Sequence, residues 1–100
     1  MMLGLSESCR SFRLEGAVLV CECLLADGKT YKKSWIDLDH HIGNINGSLV
    51  WYKKAFSKTC KDFRLEGTIL HAKCKKSSEE WIDCSIDLAR NLRNDNGVLL

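Results

Sequence analysis

Between Ile69 and Cys74 the chain alternates, with Leu70, Ala72 and Cys74 on one side and His71 and Lys73 on the other. That period of two is the signature of a strand with one buried face. The run Ala17–Cys23 is apolar almost throughout and reads alone as a strand or a short buried helix. Its correspondence with 69–74 decides for the strand and turns Leu19, Cys21 and Cys23 toward the core. Asp27-Gly28 separates a run ending near Leu25 from a second over 30–37, a strong hairpin signal. The polar loop Lys76-Ser77-Ser78-Glu79 stands at the matching place without a glycine. Asn46-Gly47 and Asn96-Gly97 are two further hairpin turns, each followed by a short apolar stretch. Leu38 with Ile42, and Leu88 with Leu92, sit four apart and predict single helical turns. The expected class is all-β with short helical turns.

The chain matches itself. Shifted by 51 places, Cys9-Arg10-Ser11-Phe12-Arg13-Leu14-Glu15-Gly16 falls on Cys60-Lys61-Asp62-Phe63-Arg64-Leu65-Glu66-Gly67, with six of eight positions identical. The shift drops to 50 after the loop, where Ile36-Asp37-Leu38 meets Ile86-Asp87-Leu88 and Asn44-Ile45-Asn46-Gly47 meets Asn94-Asp95-Asn96-Gly97. Two copies, about 1–50 and 51–100, are too few for a solenoid, which needs about three units to bury a continuous core. They predict a pseudo-twofold globule in which each half completes the other.

Composition changes this picture little. Of 100 residues, 45% are hydrophobic and 28% charged, ordinary for a globular domain, and the net charge of +2 gives no one-signed field for nucleic acid or an anionic membrane. No apolar run approaches the roughly 18 residues of a membrane span, so no membrane insertion is expected. The start, Met1-Met2-Leu3-Gly4-Leu5-Ser6, has neither a basic region nor a long apolar one, so it does not read as a secretory signal.

Cys9 to Cys23 and Cys60 to Cys74 each span fourteen positions at equivalent places. A disulfide within each copy is the expected pairing, worth roughly 3 kcal/mol in the chain-entropy model. It implies secretion or another oxidising compartment, with the cytoplasm left open if the bonds do not form. A tetrahedral zinc site is the weaker alternative, since close C-x-x-C pairs are absent. Cys21 and Cys84 have no cysteine counterpart, aligning with Ala72 and Ser34 of the other copy, and read as buried thiols, or as a third disulfide joining the halves.

Candidate chemistry is sparse. Asp39-His40-His41, near Asp37, reads as a polar surface turn. Glu15, Glu66, Asp37 and Asp87 recur at matching positions and read as turn and cap groups rather than acids or bases. No hydrolase, zinc-protease or phosphate-loop motif occurs. Lys53-Lys54, Lys58, Lys61 and Lys75-Lys76, interleaved with Trp51, Tyr52 and Phe56, resemble a nucleic-acid groove only weakly, and anchoring between the halves is the better reading. No enzyme, cofactor, metal or nucleic-acid partner is therefore expected. A glycoside hydrolase and a protein- or nucleic-acid-binding module stay as alternatives.

Each half carries Cys, L-E-G, a second Cys, I-D-L and N-x-N-G in that order, and a Leu49-Val50-Trp51 junction joins them. This series resembles the cyanovirin-N homology family of lectins over essentially the whole chain. The resemblance implies one domain over 1–100 in which each half is a three-stranded sheet of one repeat plus a hairpin from the other. Its pseudo-domain A would hold 1–40 plus 91–100, and pseudo-domain B 41–90. It implies a lectin, not an enzyme, that binds mannose-containing glycans, typically terminal α1,2-linked mannose, at one or both ends without metal. Within-copy disulfides of some members agree with the pairing above. Carried over, the first site falls on Gly4, Glu7 and Ser8, on Leu24, Leu25 and Ala26, and on Asn94, Asp95 and Asn96. The second falls on Gly43, Asn44, Ile45 and Asn46, on Lys54, Lys58 and Thr59, and on Lys75, Lys76, Ser77 and Glu79. Leu24, Ala26, Gly43, Lys54 and Lys58 depart from the family's best-known pattern. The first site is preferred because Glu7, Ser8, Asn94 and Asn96 keep polar character. With no proline after Trp51, a monomer is expected, a domain-swapped dimer being the alternative.

Overall fold

A computed structural model describes residues 2–100. Within the first copy, β2 (Cys9–Glu15), β3 (Val18–Leu24) and β4 (Tyr31–Asp37) form an antiparallel sheet in that order. The second copy repeats it with β7 (Cys60–Glu66), β8 (Ile69–Lys75) and β9 (Trp81–Asp87). Alternation on β8 works as the sequence requires, with Leu70, Ala72 and Cys74 buried and Lys73 exposed. Leu19, Cys21 and Cys23 are likewise buried on β3.

Asn-Gly turns make two more hairpins. The first joins β5 (Ile42–Ile45) to β6 (Ser48–Trp51), and the second joins β10 (Arg93–Asp95) to β11 (Val98–Leu99), with β1 (Met2–Gly4) added on the outside of β10. Asn46 and Asn96 both have φ 49°, followed by Gly47 at 90° and Gly97 at 87°. Two successive left-handed residues are what a tight I′ turn demands. The hairpins cross over. β6 of the first copy packs on β9 of the second, and β11 of the second packs on β4 of the first.

Short helical turns fall where leucine spacing indicates them, at Leu38–His40 and Leu88–Arg90. Asp37 and Asp87 cap them, each accepting a backbone N–H two residues on at 3.0 Å. Glu15 and Glu66 do not cap. Glu15 pairs with Arg13 at 2.7 Å, and Glu66 lies 3.3 Å from His71 Nε2, so strand-end side-chain contacts stand where turn bonds were expected. A one-turn helix α1 (Leu5–Ser8) and a turn at Phe56–Lys58 had no sequence signal.

Leu5, Leu19, Leu38, Ile42, Phe56, Leu70 and Leu88 are fully buried in one continuous core shared by both copies. The molecule is elongated, 50 × 21 × 16 Å. The copies also repeat a surface contact. Arg10 lies 3.6 Å from the Tyr31 ring, and Lys61 lies 4.1 Å from the ring of Trp81, Tyr31's counterpart.

One disulfide expectation holds and one is corrected. Cys9 and Cys23 face each other across β2 and β3 and are bonded. Cys74 is bonded to Cys84 rather than to Cys60. It lies directly opposite Cys60 on β7, while Cys84 is two places along from its partner Ile82 on β9. Flanked by a cysteine on each neighbouring strand, Cys74 has a choice that Cys23 lacks, because Ser34 stands where the second copy has Cys84. Cys84 therefore closes a bond inside its own half. Cys21 and Cys60 are buried free thiols, each pushed up to about 11 by loss of solvation.

Candidate functional site

Each end of the molecule is built by one hairpin docking onto the other copy's sheet, and the docking rests on two asparagines. Asn94 on β10 is fully buried. Its Nδ2 donates to Ser8 Oγ at 3.0 Å and to the Leu24 carbonyl at 2.9 Å, and its Oδ1 accepts from Gly97 N–H at 2.8 Å. Ser8 Oγ donates to the Gly4 carbonyl at 2.6 Å. Asn96, in the turn, accepts from Ala26 N–H at 2.8 Å. Ser34 Oγ donates to the Gly97 carbonyl. Gly97 packs closely, a Cβ there lying 2.6 Å from Leu25 Cδ2, and its φ of 87° favours glycine.

The second end repeats the design. Asn44 Nδ2 donates to Thr59 Oγ1 at 3.0 Å and to the Lys75 carbonyl at 2.9 Å, and Gly47 N–H donates to Asn44 Oδ1 at 2.8 Å. Asn46 Oδ1 accepts from the N–H and hydroxyl of Ser77, both at 3.0 Å. Gly43 is buried, and a Cβ there would meet Lys53 Cβ at 2.5 Å and Lys54 N at 3.1 Å. Lys75 Nζ is 3.8 Å from Glu79. Ile45, Lys54 and Lys58 stand exposed around this end.

The structure thus brings together nearly all the residues carried over at each end, but gives them different tasks. Ser8 and Asn94 are below the surface, with their hydrogen bonds made inside the protein, so they hold the first end rather than line it. Asn44 does the same at the second. What the first end offers to solvent is the Glu7 carboxylate, the backbone around Ala26, and the Asn96 amide N–H groups that Ala26 does not use. At the second end Lys76 packs beside Gly47 and Lys75 lies 3.8 Å from Glu79 near the Asn46–Ser77 pair, with Lys54 and Lys58 exposed on the neighbouring segment. The mixed set suits hydroxyl-rich ligands, which need fixed donors and acceptors.

Other polar clusters have structural partners. Asp39 accepts from Ser57 N–H at 2.9 Å and from its hydroxyl, and His40 lies 3.6 Å from Asp37 on the surface. Phe56 is buried against Phe63 at 5.1 Å, an anchor as expected. The Cys9, Cys21 and Cys23 sulfurs lie within 4.8 Å of one another, two of them used by the disulfide.

Duplicated three-stranded sheets, exchanged hairpins and paired end sites define a pseudo-symmetric all-β binding module. A family model described as the CVNH domain matches residues 5–100. The chain therefore belongs to the cyanovirin-N homology family, whose fold is that of a lectin. A cyanovirin-N homolog of Tuber borchii is 45% identical over 51 residues, spanning about half of this chain and 48% of that one. The solved structure of TbCVNH, from T. borchii, is 36% identical with a TM-score of 0.85, covering 98% of both chains. Microvirin, solved in complex with mannobiose, is 30% identical with a TM-score of 0.84, covering 97% of this chain and 96% of its own.

Proposed function

We propose that this chain is a monomeric lectin that binds mannose-containing oligosaccharides, with terminal α1,2-linked mannose as the preferred unit, and that the first end is the working site. The observation that carries the reading is the polar end built twice by the same asparagine clamp, in a fold shared with a protein that holds mannobiose. A rigid clamp matters because sugar hydroxyls reward donors and acceptors that are already fixed, and ordering them on binding costs affinity. The first end is favoured because it offers both an exposed carboxylate acceptor, Glu7, and the exposed amide donors of Asn96. At the second end four lysines stand against one carboxylate, Glu79, which already lies 3.8 Å from Lys75 Nζ, so donors predominate there. The buried disulfides suit an oxidising compartment.

A glycan array carrying α1,2-, α1,3- and α1,6-linked mannosides tests the assignment. Retention on α1,2-linked structures, lost on Asn96→Ala but not on Ser77→Ala, is expected. No retention on any mannoside would remove the lectin assignment, and loss on Ser77→Ala alone would move the site to the second end. Elution as a dimer at micromolar concentration would contradict the monomer.

A further inference from the structure

The outer face of the first sheet carries an aromatic residue that neither the core nor the end sites use. Trp35 on β4 is 66% exposed. Its cross-strand partner is Val20, whose own neighbour on β2 is Arg13, and Val18 pairs with Glu15 one step away. Trp35, Lys33 and Glu15 therefore wall a hollow of about 320 Å³ floored by Val18 and Val20. The scaffold does not require an aromatic ring here. In the other copy the matching positions are Ser85 for Trp35, Asp83 for Lys33 and His71 for Val20. A single exposed indole is ordinary; one that walls a hollow with an apolar floor and charged rim is the feature that points to a ligand.

The hollow is continuous with the first end. β4 is the edge strand of its sheet. A second hollow of about 160 Å³ runs along that edge from Gly97 and Lys32 past Val98 to the other side of Trp35. Gly97 is the residue after Asn96, and it packs on Leu25, so this groove starts where the end site stops. The five residues of strand from Tyr31 to Trp35, four steps, span about 13 Å, room for more than one sugar ring.

We propose that Trp35 is a stacking platform for a pyranose ring, and that the groove along β4 extends the first end into a longer oligosaccharide site. The proposal rests on the lectin reading and deepens it. One face of a pyranose presents C–H groups that pack on an indole, while its rim hydroxyls can donate to the Glu15 carboxylate and accept from Lys33 Nζ and the Arg13 guanidinium. A flat apolar partner would have to desolvate Lys33 and the Arg13–Glu15 pair, which favours a hydroxyl-rich ring over a second copy of the chain.

The test titrates the isotope-labelled full chain with α1,2-linked mannobiose and with a linear α1,2-linked mannotetraose, following backbone amides and the three indole N–H signals by NMR. The tetraose should bind about tenfold more tightly than the biose, a gain of about 1.4 kcal/mol, and should move the Trp35 indole signal. In Trp35→Ala the ratio of the two affinities should fall to near one, and Trp35→Phe should keep part of it. A tetraose that moves only residues around Ala26 and Asn96, with the ratio intact in Trp35→Ala, overturns the platform and leaves the lectin reading standing. Silence of every signal with both sugars removes both. A Trp35 signal that moves with protein concentration alone gives the face to a second copy and overturns the proposal.

Discussion

Asn94 illustrates how a residue can belong to a site without touching its ligand. Buried, with its amide holding Ser8, Leu24 and Gly97, it fixes the turn that carries Asn96. Asn94→Ala leaves those groups without a partner inside the protein and should destabilise the fold by roughly 3 kcal/mol in urea denaturation. Asn96→Ala, at the exposed turn, should cost under about 1 kcal/mol while abolishing sugar retention. Comparable stability losses for both would contradict the division of labour. The two free thiols make a different statement. Their ordinary value is 9.0 and burial raises both to about 11, so the folded chain holds them protonated after the unfolded chain has begun to ionise. Stability from this source is complete below about pH 9 and is lost as pH rises through about 11. Denaturation midpoints should therefore fall over that window, and less steeply in Cys21→Ala.

At the scale of elements, the alternation of 69–74, the Asp-Gly turn and the Asn-Gly turns made β3, β4, β8 and both hairpins legible, and β9 only through the match of its last residues to those of β4. β2 and β7 were not, and the cause is physical. Ser11 and Asp62 adopt φ 58° and 56° inside these strands, where the register with β3 and β8 shifts. A bulge puts two residues against one and breaks the alternation that reveals a strand. The resemblance named residues that the fold gathers at each end, but not which of them clamp the hairpins, since only packing tells a buried, fully bonded asparagine from an exposed one. Trp35 sat in plain alternation on β4, yet no periodicity says that an outward aromatic has no cover. The second disulfide was missed because spacing cannot choose between two cysteines flanking Cys74 on opposite strands. Peptide mapping without reduction should recover Cys74 joined to Cys84; a Cys60–Cys74 fragment would contradict it. The link between the halves holds Ala55 at φ 64°, ψ 35°, left-handed for a residue with a Cβ. Ala55→Gly should relieve about 1 kcal/mol of strain, partly offset by the freer unfolded chain, for a net gain of about 0.5 kcal/mol in denaturation.

Across the whole molecule the duplication is a duplication of scaffold. Both copies keep their Asp caps, their bulges, their cation-on-ring contact and their asparagine clamps, and one core runs through both. They part company at the surfaces a ligand would meet: Glu7 against Lys58, Ala26 against Ser77, Trp35 against Ser85. A fold that needs both halves to bury one core is free to keep binding chemistry at one end only. The most direct test of that claim is an amide-resolved NMR titration of the unmodified chain with α1,2-linked mannobiose. Shifts clustered at Glu7, Ala26 and Asn96, with Asn46, Lys76 and Ser77 unmoved, are the result this account predicts. Shifts at the second cluster alone, or none at millimolar sugar, would contradict it.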